Sequence, residues 1–273
     1  MTTPCASSTA SPPWPAPCGR RALTRQILFV NTALADKEPS LRAARALGQV
    51  AVVGAELPDW AAPHVDWFLP GDTRDPAALD TIIERLRQRH AATPFDAVVT
   101  FWDHGVVPAA RIAGALGLPG SSVAAADAVR HKGRMREGLS RAGVPQPRFT
   151  WVAGQDGIAA AVRSIGFPAI HKPAGGGAST AICLVRSEEE LRVSLETTRD
   201  FHRPDAHALF AAYPDEYIIE EFMDGREVSV EGVVARGAVR IAAVTEKWTT
   251  PDVFTEYMHL VPARLTPWEH AAV

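Results

Sequence analysis

The stretch FPAIHKPAGGGASTAICLV, Phe167–Val185, decides how the chain is read. A lysine and a proline stand directly before three consecutive glycines, and an apolar, β-branched run resumes after them. Glycine inside a strand or helix costs about 0.5–1 kcal/mol relative to alanine. Gly175, Gly176 and Gly177 together therefore imply a loop whose backbone comes close to something or takes positive φ. Successive N–H groups on such a loop form a concavity for anions, and Lys172 on the preceding strand adds a point charge. Phosphate suits both. The order of residues excludes the usual phosphate loop, in which the lysine follows the glycines and opens a helix. Here both flanks read as strands, which makes the glycines a hairpin loop folding over a nucleotide. Taken alone, the stretch fits a mobile surface turn with an incidental lysine equally well.

The segment IIEEFMDGREVSVEG, Ile218–Gly232, shifts that balance toward the nucleotide. Glu220, Glu221 and Glu227 lie in an otherwise apolar strand context, and a buried carboxylate costs several kcal/mol unless it is paired or hydrogen-bonded. An adenine amino group and ribose hydroxyls are donors of the right kind, and Phe222 and Met223 offer the base an apolar, polarizable wall. A half-exposed strand also lets some of these glutamates face solvent, the reading that suits Glu221 best.

Working outward, residues 1–24 are rich in Pro, Ser, Ala and Thr without periodicity, and read as a disordered leader. The stretch CGRRALTRQILFVNTALAD loosely imitates an export signal. Its apolar run is interrupted by Asn31 and Thr32, and ILFVN reads as the first strand of an α/β domain. From there short β-branched runs (ILFVN, VAVVG, FDAVVTF) alternate with helical stretches near Leu41–Leu47, Pro76–His90 and VVPAARIAGALG. This pattern implies a parallel, Rossmann-like sheet over residues 25–124. No GxGxxG follows the first strand, so no dinucleotide site is assigned there. After Ala124 one helix carries DAVRHKGRMREGLSRAG and stops at Gly143 and the prolines beyond. A second unit over 125–273 holds strands FTWVA, FPAIHKP, AICLV and EYIIEEFM, a helix near Gln155–Ile165, and a capping box at Ser187–Glu190. A loop spans Asp200–Pro214, and a hairpin turns at Arg236-Gly237. Thr266-Pro267-Trp268-Glu269 opens a helix with only four residues left to run, which reads as a chain stopping before its domain is complete.

Composition agrees with an ordinary globular chain of 273 residues: 47% hydrophobic, net charge −3, with the charges mixed throughout. No broad basic face offers itself to nucleic acid or anionic lipid, and no run approaches the ~18 apolar residues of a spanning helix. Cys5, Cys18 and Cys183 form no zinc pattern, and their odd number suits a reducing, cytoplasmic compartment without disulfides. Small molecules are the expected partners, and the oligomeric state is open to a homodimer.

HKGRMREGLSRAGVPQPRF, GFPAIHKPAGGGAST with AICLVRSEEEL, YIIEEFMDGREVSVEGVVARG and EKWTTPDVFTEYMHLVPARL, in that order, resemble the ATP-grasp superfamily and within it the carboxylate-amine ligases. The resemblance implies a Rossmann-like pre-ATP-grasp domain followed by an incomplete α+β ATP-grasp domain. It further implies that Lys132 and Lys172 contact phosphates, that Gly175, Gly176, Gly177 and Ser179 belong to the loop closing over them, and that Glu220 accepts from the adenine amino group. By the same resemblance Phe222 and Met223 form the linker at the adenine edge, and Glu227 binds ribose. The family has glycine where this chain has Ala178 and Ala181. Its magnesium-binding glutamates and asparagine fall beyond Val273, so the resemblance implies ATP and Mg2+ as cofactors with no metal ligand within this chain, and impaired turnover. The implied reaction activates a substrate carboxylate as an acyl phosphate that an amine attacks. No protein nucleophile is needed, and Ser179 reads as a loop hydrogen-bond donor. The alternative is a non-catalytic nucleotide-binding remnant or regulatory module; a biotin-carboxylase-like enzyme is a more distant rival. Glu256 and His259 are spaced to share a helical face, as a metal or acid-base pair, a substrate or lid contact, or part of a packed connecting loop; Lys247 is ambiguous between phosphate contact and solvated strand end; and Asp103-His104 follow a parallel strand, where α/β sheets often bind ligands, though a turn is the reading that suits them best.

Overall fold

The computed structural model describes residues 25–154, 156–177, 179–199, 212–251 and 253–272. The expectations for the leader, for Cys5 and Cys18, for Ala178 and for most of the Asp200–Pro214 loop lie outside these residues. The chain divides between Phe101 and Trp102 into two compact units.

In the first unit β1 (Arg25–Val30), β2 (Gly48–Gly54), β3 (Trp67–Pro70) and β4 (Ala97–Val99) form a four-stranded sheet in the order β3-β2-β1-β4. All its pairings are parallel. The inner strands are near-continuous apolar runs, as a sheet covered on both faces requires. Ile27, Phe29, Val50 and Val52 share a cluster with Leu41 and Ala44 of α1 (Glu38–Arg45). Helix α2 (Pro76–Ala92) is opened by Asp75, whose carboxylate accepts from Ala77 N at 2.9 Å, and it buries Leu79, Ile82, Ile83 and Leu86. Strand β3 escaped the sequence reading: its four residues WFLP show burial only at Leu69, so no alternation betrays an edge strand.

The second unit begins with α3 (Val106–Ala115), α4 (Val123–Arg130) and α5 (Lys132–Arg141). Strands β5 (Phe149–Ala153), β6 (Ala169–Pro173), β7 (Cys183–Val185) and β8 (Glu216–Glu221) make an antiparallel sheet ordered β5-β8-β6-β7. Helices α6 (Ile158–Ile165) and α7 (Glu188–Arg199) cover one face, where Ile158, Val162, Ala169, Leu191, Tyr217 and Ile219 are clustered. A second antiparallel sheet, ordered β11-β10-β9, holds β9 (Glu227–Ala235), β10 (Ala238–Thr249) and β11 (Glu256–Leu260), followed by α8 (Pro267–Ala272). The β9–β10 turn has Arg236 and Gly237 at φ +52° and +78°, the twist of a two-residue hairpin. The reciprocal bonds Glu269 N to Thr266 Oγ1 (3.2 Å) and Thr266 N to Glu269 Oε2 (2.7 Å) cap α8.

Two expectations are corrected. The single helix through His131 is two helices, because His131 is extended (φ −116°, ψ 106°). Its buried ring caps α5: Nδ1 accepts from Arg134 N at 3.0 Å, which leaves the proton on Nε2, 2.8 Å from Glu216 Oε2. Glu256 and His259 lie on a strand, β11, where pairing with β10 replaces the helical face their spacing implied.

Helix α5 approaches β5 at Gly133, where an added Cβ would stand 2.4 Å from Trp151 Cγ. Gly133→Ala gains about 1 kcal/mol in helix propensity and loses about 1–3 kcal/mol to overpacking, so a lower urea midpoint is expected. Gly138→Ala in the same helix meets nothing within 4 Å and is expected to raise the midpoint. Equal shifts in the two variants would contradict the close approach.

Candidate functional site

Strand alternation places the site. On β6 and β8 the residues Ala169, Tyr217 and Ile219 face α6 and α7, so the intervening Lys172 and Glu220 share the opposite face. Ile170 pairs with Glu220 and Lys172 with Ile218, which makes Lys172 and Glu220 diagonal neighbours across the two strands. Lys172 Nζ lies 2.5 Å from Glu220 Oε2, and Arg136 Nε lies 2.7 Å from Oε1. The Glu220 side chain is 5% exposed. Burial pushes its carboxyl up, but Lys172 and Arg136 outweigh burial and hold it below the usual carboxylate range.

The glycines occupy the β6–β7 hairpin loop, with Gly175 and Gly176 buried rather than forming a mobile surface turn. Gly176 takes φ +79°, and Ser179 and Ala181 take +54° and +59°. The left-handed region costs a non-glycine residue about 1–2 kcal/mol, so Ala181 carries strain that a glycine would not. Lys132, the first residue of α5, spans to this loop twice: its backbone N donates to Ala174 O at 2.8 Å, and its Nζ donates to Gly175 O at 2.5 Å and Gly176 O at 3.3 Å. Burial, then the nearby Lys172 and Arg130, lower its ammonium to about 8, while Glu220 and Asp103 oppose the shift. Lys132, Lys172, Glu220, Gly175 and Gly176 are thus brought together. Asp103, in a 3-10 turn, pairs with Arg130 at 3.2 Å and stands against Gly177.

The remaining glutamates, Glu221 and Glu227, have cationic partners within the chain. Glu221 is half-exposed and accepts from Arg148 N, Nε and Nη2. Glu227 opens the second sheet and pairs with Lys247 at 2.5 Å; Lys247 also meets Glu256 at 2.5 Å, and His259 lies 2.8 Å from Glu256. Phe222 is tilted against Phe254 with centroids 6.3 Å apart, and Met223 is exposed. Glu220 uses two of about four lone-pair positions on Lys172 and Arg136, so it retains acceptor capacity. Arg136 went unnoticed in the sequence; its spacing of four from Lys132 on one helix face was the available signal. Among the described residues no group of three or more His, Cys, Asp or Glu is placed to hold a metal ion. Among the same residues no helix is long and apolar enough to cross a membrane.

Residues 41–120 match the ATP-grasp N-terminal domain family, and residues 165–273 match an ATP-grasp domain family. The chain is 27% identical over 222 residues to an alanine–anticapsin ligase of Bacillus subtilis, covering 77% of this chain and 46% of the relative. It is 31% identical over 144 residues to a D-alanine–D-alanine ligase of Pseudomonas entomophila, covering 52% and 40%. The chain thus spans about half the length of the curated relatives it matches. An L-amino acid ligase structure from Bacillus licheniformis shares the fold with TM-score 0.73 at 22% identity, over 91% of this chain and 59% of that one. So does an N5-carboxyaminoimidazole synthetase from Staphylococcus aureus complexed with ADP, with TM-score 0.68 at 16% identity, over 91% and 61%.

Glu220→Gln leaves two cations facing each other without a buried counter-charge, a loss of about 3–5 kcal/mol. Because the folded carboxyl titrates below its unfolded value of 4.5, the wild-type contribution is present above that pH and fades as pH falls through the folded value. Chemical denaturation at pH 7 and pH 4 is expected to show a large deficit for the variant at pH 7 and a smaller one at pH 4. A deficit equal at both would contradict the pairing.

Proposed function

We propose that this chain, which belongs to the ATP-grasp superfamily through residues 41–120 and 165–273, binds ATP at the Lys172–Glu220 face and glycine loop and serves ligation of a carboxylate to an amine. The observation that carries the reading is the gathering of Lys132, Lys172 and Arg136 around one buried carboxylate and a buried glycine loop. Three cations against one carboxylate leave a surplus of positive charge in a half-buried place, the complement of a polyphosphate.

In this reading residues 25–124 form the pre-ATP-grasp domain and 125–273 the ATP-grasp domain. Lys132 and Lys172 oppose the phosphates, and Gly175, Gly176, Gly177 and Ser179 form the loop over them. Glu220 accepts from the adenine amino group, the backbone of Phe222 and Met223 meets the base edge, and Glu227 meets the ribose. Lys132 is already gripped by two loop carbonyls, so loop and ammonium engage the nucleotide as one body. Bound ATP supplies the γ phosphoryl group that converts a substrate carboxylate into an acyl phosphate, whose carbon the amine attacks to form an amide as phosphate departs. The protein's part is to position the reactants and stabilise charge. The described residues do not fit magnesium, which the family implies, as a coordinated set, and no step is derived through it.

Titration calorimetry with ATP tests the reading. Lys172→Ala removes a charge-assisted contact of about 1.5–3 kcal/mol, or tenfold or more in affinity. Lys132 carries its proton below about pH 8, and phosphate favours that form, so wild-type affinity is expected to be level below pH 8 and to decline above it. Lys132→Arg is expected to stay level. Equal ATP binding by wild type and Lys172→Ala would remove the phosphate assignment. ATP binding without ADP release in the presence of amino-acid pairs would leave the non-catalytic reading.

A further inference from the structure

Asp103 and Arg130 meet on the glycine loop. One oxygen of the Asp103 carboxylate, Oδ2, lies 3.2 Å from the position a Cβ on Gly177 would take, so the carboxylate rests directly on that glycine. The same oxygen lies 3.2 Å from Arg130 Nη1. The Arg130 side chain is only 15% exposed, whereas that of Asp103 is 58% exposed. Arg130 ends α4 and Lys132 begins α5, with only the extended His131 between them. Both members of the pair act on Lys132: Arg130 disfavours its charge and Asp103 favours it. A carboxylate therefore stands where a guanidinium, an ammonium and the glycine loop converge, and it is the partner most accessible to water.

We propose that Asp103 is a resident counter-anion of the glycine loop, which yields Arg130 to the terminal phosphate of a bound nucleotide and so makes Arg130 a phosphate-binding cation beside Lys132 and Lys172. The inference rests on the nucleotide reading above and adds to it both a competitor and a recruited cation. Solvent at the exposed Asp103 end screens the pair, which favours exchange of the carboxylate for a phosphate. Arg130 is mostly buried and offers a planar fork of donors, which suits a phosphate at least as well as a single carboxylate oxygen. Once displaced, Asp103 has water to receive it. A Cβ at Gly177 would stand 3.2 Å from that carboxylate oxygen, a tight contact.

The test is titration of the full chain with ATP and, separately, with AMP, for wild type, Asp103→Asn, Arg130→Gln and the double variant, at fixed ionic strength. Removing a competing anion is expected to tighten ATP by about fivefold, the equivalent of ~1 kcal/mol, and to leave AMP unchanged. Arg130→Gln is expected to weaken ATP, and in its background Asp103→Asn is expected to have no further effect. Thermal melting of each variant identifies any that fails to fold, and Asp103→Ser repeats the charge removal with a smaller side chain. Weaker or unchanged ATP binding in both Asp103 variants, equal shifts for ATP and AMP, or additive effects in the double variant would overturn the inference while leaving the nucleotide site standing. No ATP binding by wild type would overturn the site itself.

Discussion

The candidate site in the second unit turns on one buried carboxylate holding two cations. Glu220 on β8 meets Lys172 from β6 and Arg136 from α5. A carboxylate at 5% exposure is tolerable only because both its oxygens are matched. The same constraint ties two neighbouring strands to a helix, leaving little freedom in where α5 lies over the sheet. Since Lys132 is the first residue of α5, the pairing also determines that an ammonium arrives at the glycine loop.

The entry of α5 is set by steric and hydrogen-bond requirements that reinforce this placement. His131 breaks what would otherwise run as a continuous helix, and its ring satisfies a backbone N–H of the new helix on one side and Glu216 on the other. Gly133, the second residue of α5, lets the helix lie against Trp151. The chain thus uses a direction change capped by the His131 ring, a missing side chain and a buried ion cluster to bring Lys132 within reach of two loop carbonyls. Burial and like-charged neighbours then lower its ammonium to about 8, so its proton is sensitive to anything anionic that enters.

What was legible in the sequence was what short-range physics encodes. The parallel β-branched runs, the Arg236-Gly237 turn, the Thr266–Glu269 capping box and the glycine hairpin each carry their signal within a few residues, and each was found. The features that escaped depend on residues distant in sequence. Strand β3 is defined by its neighbour β2 and shows no alternation of its own. The helix break at His131 is supported by Glu216, 85 positions away. Segment EYMHL has helical spacing in its charges, but pairing with β10 decides its conformation. For the site, the glutamates were recognised as needing donors, yet the donors Arg136, Arg148 and Lys247 are separated from them by 20 to 84 positions, beyond any local pattern.

The central claim is that Lys132, Lys172 and the glycine loop form one polyphosphate site. Its most direct test is the backbone amide spectrum of the protein during titration with inorganic triphosphate, which has the charge of the nucleotide tail and neither base nor sugar. The account predicts saturable shifts at Gly175, Gly176 and Gly177 and at the first turn of α5, with β9–β11 unaffected. Saturable binding that leaves the glycine amides unmoved would contradict it.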